Sequence, residues 1–254
     1  MKLVIDQVSK SFGNKHVIDN LSGAFDQGKI YGLLGRNGAG KTTLFSLIAE
    51  ELRKDHGSVY LEDETGKHPL SMEDLFFMIA EPSFPSFLTG NEFIRFFMEG
   101  NRSEIKGNRS LDDYFQLVDF EEEDRDRLIS GYSTGMKNKL QMIMFLILQP
   151  KVILMDEPLT SLDVVVQLQI KKLIRSIRGD HIILFSTHIL QLAEDLCDEL
   201  VILSRGKLRP LDQKILQQSG LEEKIIRLLS DDIGEDQLRE VHEELEKAEE
   251  KGEE

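Results

Sequence analysis

Two short stretches of the sequence could together bind a nucleoside triphosphate and its metal ion. The first is the glycine-rich run Gly35-Arg36-Asn37-Gly38-Ala39-Gly40-Lys41-Thr42, which matches the phosphate-loop pattern G-x-x-x-x-G-K-[ST]. Its glycines let the backbone wrap around a phosphate with the N–H groups pointing inward. Lys41 can then reach the β- and γ-phosphates, and the Thr42 hydroxyl can ligate Mg²⁺.

The second stretch is the apolar run 152–155, which is followed by two carboxylates, Asp156 and Glu157. Ligands bind at the carboxyl ends of the strands in open parallel sheets. Asp156 is therefore placed to hold Mg²⁺, and Glu157 is placed to polarise an attacking water beside the γ-phosphate. A third apolar run, 182–185, ends in Ser186-Thr187-His188, and we expect His188 to contact the γ-phosphate.

These side chains need a sheet that brings the ends of several strands together. Apolar runs and alternating patterns predict strands, whereas a spacing of 3.6 residues predicts helices. Strands are predicted at 2–8, 30–34, 58–61, 75–80, 152–155, 182–185 and 200–203, and helices at 41–52, 164–177 and 188–195. Their alternation is typical of a parallel α/β sheet. Residues 82–149 are predicted to be mostly helical, with polar loops around 100–110 and 121–126, and to form an inserted subdomain.

Composition and charge exclude several classes of protein. The 254 residues carry a net charge of −15, which argues against a general nucleic-acid surface because phosphate neutralisation needs clustered Lys and Arg. The longest apolar run, 142–148, has seven residues, far fewer than the roughly 20 that span a bilayer. The single cysteine, Cys197, excludes an internal disulfide, and residues 1–10 have no apolar core of signal-peptide length. We therefore expect a cytosolic protein.

The negative charge is concentrated near the C-terminus. Residues 235–254 contain ten acidic and three basic side chains. Such a segment is interpreted either as a solvated or frayed helix or as a regulatory or partner-binding tail.

Taken together, these residues resemble the nucleotide-binding subunit of ATP-binding cassette (ABC) transporters, of the single-cassette type found in bacterial exporters. The resemblance covers about residues 2–210. It implies an α/β fold: a P-loop NTPase core with a mostly parallel sheet, an antiparallel N-terminal β portion and an inserted helical subdomain at about 82–150. The implied domains are a nucleotide-binding domain at 1–210 and an acidic helical tail at 211–254.

The resemblance also implies that ATP and Mg²⁺ are the cofactors, and it extends the site. Phe12 holds the place of the aromatic that stacks on adenine, and Ser161-Leu162-Asp163 corresponds to the D-loop of the family. Lys41, Glu157 and His188 are the implied catalytic residues, and Thr42 and Asp156 the implied metal ligands. The implied nucleotide contacts also include Gly35, Asn37, Gly38, Ala39, Gly40, Lys41, Thr42, Thr43 and Asp163.

The signature of the family, usually Leu-Ser-Gly-Gly-Gln, corresponds to Tyr132-Ser133-Thr134-Gly135-Met136. Ser133 and Gly135 match, and they retain the small residues that permit close approach of a phosphate. In the family, two cassettes pack head to tail, and this helix start caps the γ-phosphate held by the other subunit. An ordinary helix N-cap is the alternative interpretation.

A second departure concerns Glu81, which stands where the family usually has a Gln near Mg²⁺ and the attacking water. A carboxylate there could still ligate Mg²⁺ through water, although it adds negative charge beside the γ-phosphate. Just beyond it, Phe84 and Phe87 could line a groove for a membrane partner or belong to the subdomain core.

The resemblance implies a transporter ATPase whose partners are a second nucleotide-binding subunit, most simply in a homodimer, and a separately encoded integral membrane permease. No nucleic acid is expected as a partner. The subunit would lie on the inner face of the cell membrane, held there by the permease. Two alternatives are a soluble ABC-type ATPase that is not coupled to transport, and a P-loop GTPase or small-molecule kinase. The guanine-reading pattern Asn-Lys-x-Asp fails at its last position in the segment NKLQ at 138–141.

Overall fold

The computed structural model of the chain describes residues 1–105, 108–159, 162 and 164–211. Ser161, Asp163 and the acidic segment 212–254 lie outside the described residues, so the predictions made for them stay predictions.

The described residues form ten strands in two sheets. The strands are β1 Lys2–Phe12, β2 Lys15–Asp26, β3 Ile30–Leu34, β4 His56–Asp63, β5 Gly66–Pro69, β6 Leu75–Met78, β7 Val152–Asp156, β8 Ile182–Thr187, β9 Glu199–Ser204 and β10 Lys207–Pro210. The first sheet is antiparallel, in the order β2-β1-β4-β5. The second has the order β10-β9-β3-β8-β7-β6 and is parallel except for β10, which confirms the predicted fold class.

Every residue of β3, β7 and β8 is buried. Continuous burial explains why these strands are uninterrupted apolar runs, since parallel strands are covered on both faces. In β7, Val152 and Leu154 belong to one core cluster with residues of the antiparallel sheet, whereas Ile153 and Met155 belong to a second cluster. The central sheet therefore separates two hydrophobic cores. Because β3, β6, β7, β8 and β9 are parallel, their carboxyl ends lie along the same edge of the sheet.

Seven helices complete the described part of the chain. They are α1 Lys41–Ile48, α2 Gly90–Gly100, α3 Leu111–Leu117, α4 Glu122–Arg125, α5 Thr134–Leu148, α6 Val164–Ile177 and α7 Leu190–Leu196. Helices α2 to α5 lie between β6 and β7 in the chain, as predicted for the inserted subdomain. They pack through a cluster that includes Phe93, Tyr114 and Phe145 and is shared with the central sheet. Of the helices in this described part, none combines the length and the apolar character needed to cross a membrane.

Several predicted boundaries were wrong. The strand predicted at 75–80 ends at Met78, because the Gln141 side chain takes both the N–H and the carbonyl of Ile79. The helix predicted at 41–52 ends at Ile48, and the one predicted at 188–195 begins at Leu190. The polar loop predicted around 121–126 contains the single turn α4, and residues 82–89 precede the first subdomain helix.

Strands β2, β5 and β10 were not predicted. In β2 the buried residues Ile18, Leu21 and Phe25 are three and four positions apart, a spacing that imitates a helix. The cause is a set of register shifts against β1, between Ile5 and Val8 and again up to Ser11. A β-bulge inserts an unpaired residue and changes which face the following residues occupy, so the alternation is lost.

Candidate nucleotide-binding site

The phosphate loop joins β3 to α1 at the carboxyl edge of the central sheet. Gly38 and Gly40 have φ angles of 80° and 101°, which favour glycine. A Cβ atom on Gly40 would approach Val17 Cγ1 to 2.9 Å, whereas one on Gly38 would meet nothing within 4 Å. Gly40 is therefore needed for packing against β2, and Gly38 leaves the backbone open to a ligand.

A cavity of about 500 Å³ lies over this loop. Ligand sites typically have volumes of about 300–1,000 Å³, so it has the size of a small-molecule site. Its lining combines the loop, the end of β7 and the first two strands: Phe12, Lys15, Val17, Asn37, Gly38, Gly40, Lys41, Thr42, Thr43, Ala80, Asp156 and Glu157. The structure thus brings together most of the residues predicted to bind the nucleotide.

Lys41 begins α1 and is almost fully buried. Its ammonium group donates to the Gly35 carbonyl at 2.9 Å and lies 3.9 Å from Glu157 Oε1. The cation therefore stands between the phosphate loop and the end of β7. An anion held by the loop would meet a positive charge that is already positioned.

Thr42 and Asp156 are two of the three residues predicted to bind Mg²⁺, and they are in direct contact. The Thr42 hydroxyl donates to Asp156 Oδ2 at 2.6 Å. Mg²⁺ is usually bound through one or two carboxylates together with substrate phosphates and water. This hydroxyl and carboxylate fit that pattern, so they would hold Mg²⁺ beside the phosphates of a nucleotide.

Glu157 follows Asp156 with a φ of 50°, an uncommon value for a residue other than glycine. Its backbone N–H donates to the carbonyl of Ser186 at 3.2 Å and to the Ser186 hydroxyl at 3.1 Å. His188 Nδ1 lies 3.0 Å from Glu157 Oε1. Glu157, predicted to polarise the attacking water, and His188, predicted to contact the γ-phosphate, therefore contact each other at the ends of β7 and β8.

Phe12 ends β1 at the rim of the cavity, and 49% of its surface is exposed. The Lys10 ammonium lies 5.5 Å from the centre of its ring. The aromatic face is thus available for stacking, as the adenine prediction requires, and that prediction stays untested.

The start of α5, which carries the signature residues Ser133 and Gly135, lies outside the cavity over the phosphate loop. Ser133 is the N-cap of α5, where its hydroxyl accepts a hydrogen bond from the Met136 N–H at 3.2 Å. Thr134 and Lys137 line a second cavity of about 800 Å³, together with residues of the β6–α2 connection: Ala80, Glu81, Pro82, Ser83, Phe84 and Ser86. Neither Ser133 nor Gly135 lines the cavity over the phosphate loop of the same chain.

Tyr132 departs from the leucine of the family signature and is buried. Its hydroxyl donates to the Asp124 carbonyl at 2.6 Å and lies against Gly90, where an added Cβ atom would be 2.5 Å from the hydroxyl oxygen. Burial raises the pKa of Tyr132 to about 12, so the hydroxyl keeps its proton at neutral pH. The Tyr132 side chain therefore links the start of the signature segment to α2 and α4.

Glu81 is exposed and lines the second cavity, beside the start of α5, and not the cavity that contains Thr42 and Asp156. The neighbouring Ala80 lines both cavities. The structure therefore places Glu81 next to the phosphate site and not within it, and its role as a metal ligand stays a prediction.

The two aromatics beyond Glu81 have different environments. Phe84 packs edge-on against Phe93 with ring centres 5.0 Å apart and belongs to the subdomain core. Phe87 is 76% exposed. Of the two interpretations, core packing applies to Phe84, which is partly buried, and Phe87 is the more exposed of the two aromatics.

Sequence reasoning missed two buried polar residues at this edge of the sheet. Ser186 contacts both Asp156 and Glu157, and its signal was a hydroxyl at the end of an otherwise apolar run. Gln141 ends β6 by bonding the backbone of Ile79, and its signal was an amide within the apolar half of α5.

Comparison with known protein sequences identifies similar chains. A sequence profile described as ABC transporter matches residues 18–160. An uncharacterised ABC transporter ATP-binding protein, YxlF of Bacillus subtilis, is 31% identical over 208 residues, which cover 81% of this chain and 69% of that protein. The bacitracin transport ATP-binding protein BcrA of Bacillus licheniformis is 29% identical over 206 residues, covering 79% of this chain and 66% of that protein.

Solved structures show the same architecture. An ATP-binding subunit of an ABC transporter superposes with a TM-score of 0.74 at 24% identity, covering 90% of this chain and 99% of that one. A dimeric ATP-binding cassette in a post-hydrolysis state with ADP and phosphate gives a TM-score of 0.69 at 18% identity, covering 85% and 100%. At these identities the likeness establishes the fold.

Proposed function

The chain belongs to the ABC transporter family, and we propose that it is the ATP-binding and hydrolysing subunit that drives a separate membrane permease. Two copies would pack head to tail when ATP is bound. The subunit would lie on the cytoplasmic face of the membrane, held there by the permease. Residues 1–210 would form the nucleotide-binding domain, and 211–254 an acidic tail.

One observation carries this proposal. The phosphate loop, Asp156 and Glu157 share one cavity, whereas the exposed Ser133 at the start of α5 lies outside it. A helix N-terminus attracts anions through its free N–H groups and its dipole. The chain would therefore use one element to hold phosphates and a second to meet a phosphate brought by another subunit. A solved cassette of similar fold is described as dimeric, which supports the pairing of two copies.

ATP, when bound, supplies the phosphoryl group that is transferred to water. Lys41 would neutralise phosphate charge, and Thr42 and Asp156 would hold Mg²⁺. Glu157 would accept the proton of the attacking water, with its carboxylate oriented by His188 at 3.0 Å. The contact between Lys41 and Glu157 keeps the base next to the phosphates.

The coupling to a permease is supported by the relatives, which are named as ABC transporter ATP-binding proteins, and BcrA is named for bacitracin transport. The exposed Phe87, on the same connection as Glu81, offers an apolar contact for such a partner.

Detergent extraction tests the proposal. A tagged chain carrying Glu157→Gln, expressed in the cell that encodes it, should recover an integral membrane protein in a fixed ratio from solubilised membranes. Adding that membrane protein, reconstituted in vesicles, to the wild-type chain should change its rate of ATP hydrolysis. A fully active ATPase confined to the soluble fraction, with a rate that the membrane protein leaves unchanged, would instead support an ABC-type ATPase that is not coupled to transport.

A further inference from the structure

Ser186 is the penultimate residue of the core strand β8 and contacts both acidic residues of the site. We propose that it is a positioning residue, which fixes the Asp156 carboxylate and the Glu157 backbone relative to each other. The inference rests on the proposed ATPase function and adds a residue to its machinery.

The contacts of the Ser186 hydroxyl carry the argument. It donates to Asp156 Oδ1 and accepts from the Glu157 N–H at 3.1 Å. Ser186 is fully buried, and Asp156 pairs directly with it in the register of β7 and β8. One hydroxyl thus connects the proposed metal ligand to the proposed general base.

The same hydroxyl is one of two hydrogen-bond donors to the Asp156 carboxylate. Oδ2 accepts from Thr42 at 2.6 Å, and Oδ1 accepts from Ser186. Two donors from opposite sides hold the carboxylate plane in one orientation. Residues that orient a metal ligand in this way typically contribute 10- to 100-fold in metal affinity or activity.

The Glu157 backbone gives a second, independent reason. Its φ of 50° is uncommon outside glycine, and such conformations persist only where the surroundings fix them. The Ser186 carbonyl and hydroxyl both receive the Glu157 N–H. Without the hydroxyl, the Glu157 N–H would keep the Ser186 carbonyl as an acceptor and lose the hydroxyl as its second acceptor.

Removal of the hydroxyl should therefore affect metal binding and catalysis while leaving the phosphate loop intact. Ser186→Ala retains the volume of the strand position and loses only the hydroxyl. The matched control is Ser204→Ala, the same substitution at an equally buried residue that ends β9, on the far side of β3. Ser186→Thr restores a hydroxyl at the original position.

The experiment measures Mn²⁺ binding by electron paramagnetic resonance in the presence of ADP, nucleotide binding in EDTA, and the steady-state constants for ATP. We expect Ser186→Ala to weaken Mn²⁺ binding and to lower kcat by about 10- to 100-fold each. Metal-free ADP binding should stay within twofold of wild type. Ser204→Ala should match wild type in all three measurements, and Ser186→Thr should recover most of the loss.

Two results would overturn the inference: wild-type Mn²⁺ affinity in Ser186→Ala, or an equal loss in Ser204→Ala. The proposed function is tested separately by the wild-type chain, and an absence of ATP hydrolysis by that chain would refute it. The Mn²⁺ measurement needs no hydrolysis and would still decide the role of Ser186.

Discussion

Replacing Tyr132 with Phe removes the hydroxyl that fastens the signature segment to the helical subdomain. That hydroxyl donates to the Asp124 carbonyl at 2.6 Å. A hydrogen bond contributes about 0.5–1.5 kcal/mol net, so Tyr132→Phe should cost about 1 kcal/mol of unfolding free energy. For a chain of this size each kcal/mol lowers Tm by about 2–4 °C, which gives a fall of roughly 2–4 °C.

Gly90→Ala is the second substitution of a double-mutant cycle with Tyr132→Phe. A Cβ atom at this position would lie 2.5 Å from the Tyr132 hydroxyl oxygen, and the next contacts are the Arg125 carbonyl at 3.3 Å and Tyr132 Cζ at 3.4 Å. Gly90→Ala should therefore destabilise the wild-type chain by about 1–3 kcal/mol through overpacking. In the Tyr132→Phe background the closest contact is absent, so Gly90→Ala should cost much less there.

The assay is urea and thermal unfolding of the wild type, both single variants and the double variant. The double variant should be about 1–2 kcal/mol more stable than the sum of the single effects predicts. Tyr60→Phe, at a partly exposed tyrosine of β4, is the control and should change stability by less than about 0.5 kcal/mol. Strict additivity, or a Tyr132→Phe chain as stable as Tyr60→Phe, would refute the assigned bonding.

Three further substitutions test the nucleotide site. Glu157→Gln should retain ATP binding and slow hydrolysis by about 10²- to 10⁴-fold, since it removes the proposed general base; near-normal turnover of the purified variant would exclude this role. Glu81→Gln should be tolerated in ATP hydrolysis and Glu81→Ala should do more harm, whereas wild-type rates in both would show that the residue does not act on the site. Phe12→Ala should weaken ATP binding, measured by titration calorimetry, by about 1–3 kcal/mol through lost base stacking, and Phe12→Trp should preserve it. An unchanged ATP affinity in Phe12→Ala would contradict the adenine assignment.

The positions of the candidate phosphate-binding and metal-binding residues could be predicted because these residues follow the ends of buried strands. Strands buried on both faces are continuous apolar runs, and the first polar residue after each run marks the functional edge. That reasoning placed Asp156, Glu157 and His188 at the ends of β7 and β8, where the structure brings them together.

Strand β2, the end of β6, the contact of Tyr132 and the position of Glu81 could not be predicted. They depend on contacts that produce no periodic pattern in the sequence. The bulges between β1 and β2 break the alternation that identifies a strand. The bonds of Gln141 to Ile79 and of Tyr132 to Asp124 join residues distant in sequence or in separate turns. The position of the Glu81 side chain in the second cavity follows from the path of the β6–α2 connection, which no local sequence pattern specifies.

Mixing two inactive chains tests the central claim, that the start of α5 serves the nucleotide of a partner subunit. Lys41→Ala should abolish nucleotide binding by its own loop. Gly135→Asp should preserve that binding and place a carboxylate against the phosphate of the partner, so each variant alone should be inactive as a homodimer.

The measurement is the ATPase rate after the Lys41→Ala and Gly135→Asp chains are mixed, with a chain carrying both substitutions mixed with wild type as the control. A mixed dimer of the single variants contains one site with an intact loop and an intact helix, so activity should return, up to half the wild-type rate per mixed dimer. The control mixed dimer has one lesion in each site and should be inactive. Head-to-tail pairing would be contradicted if the single variants restore nothing while the control mixed dimer hydrolyses ATP.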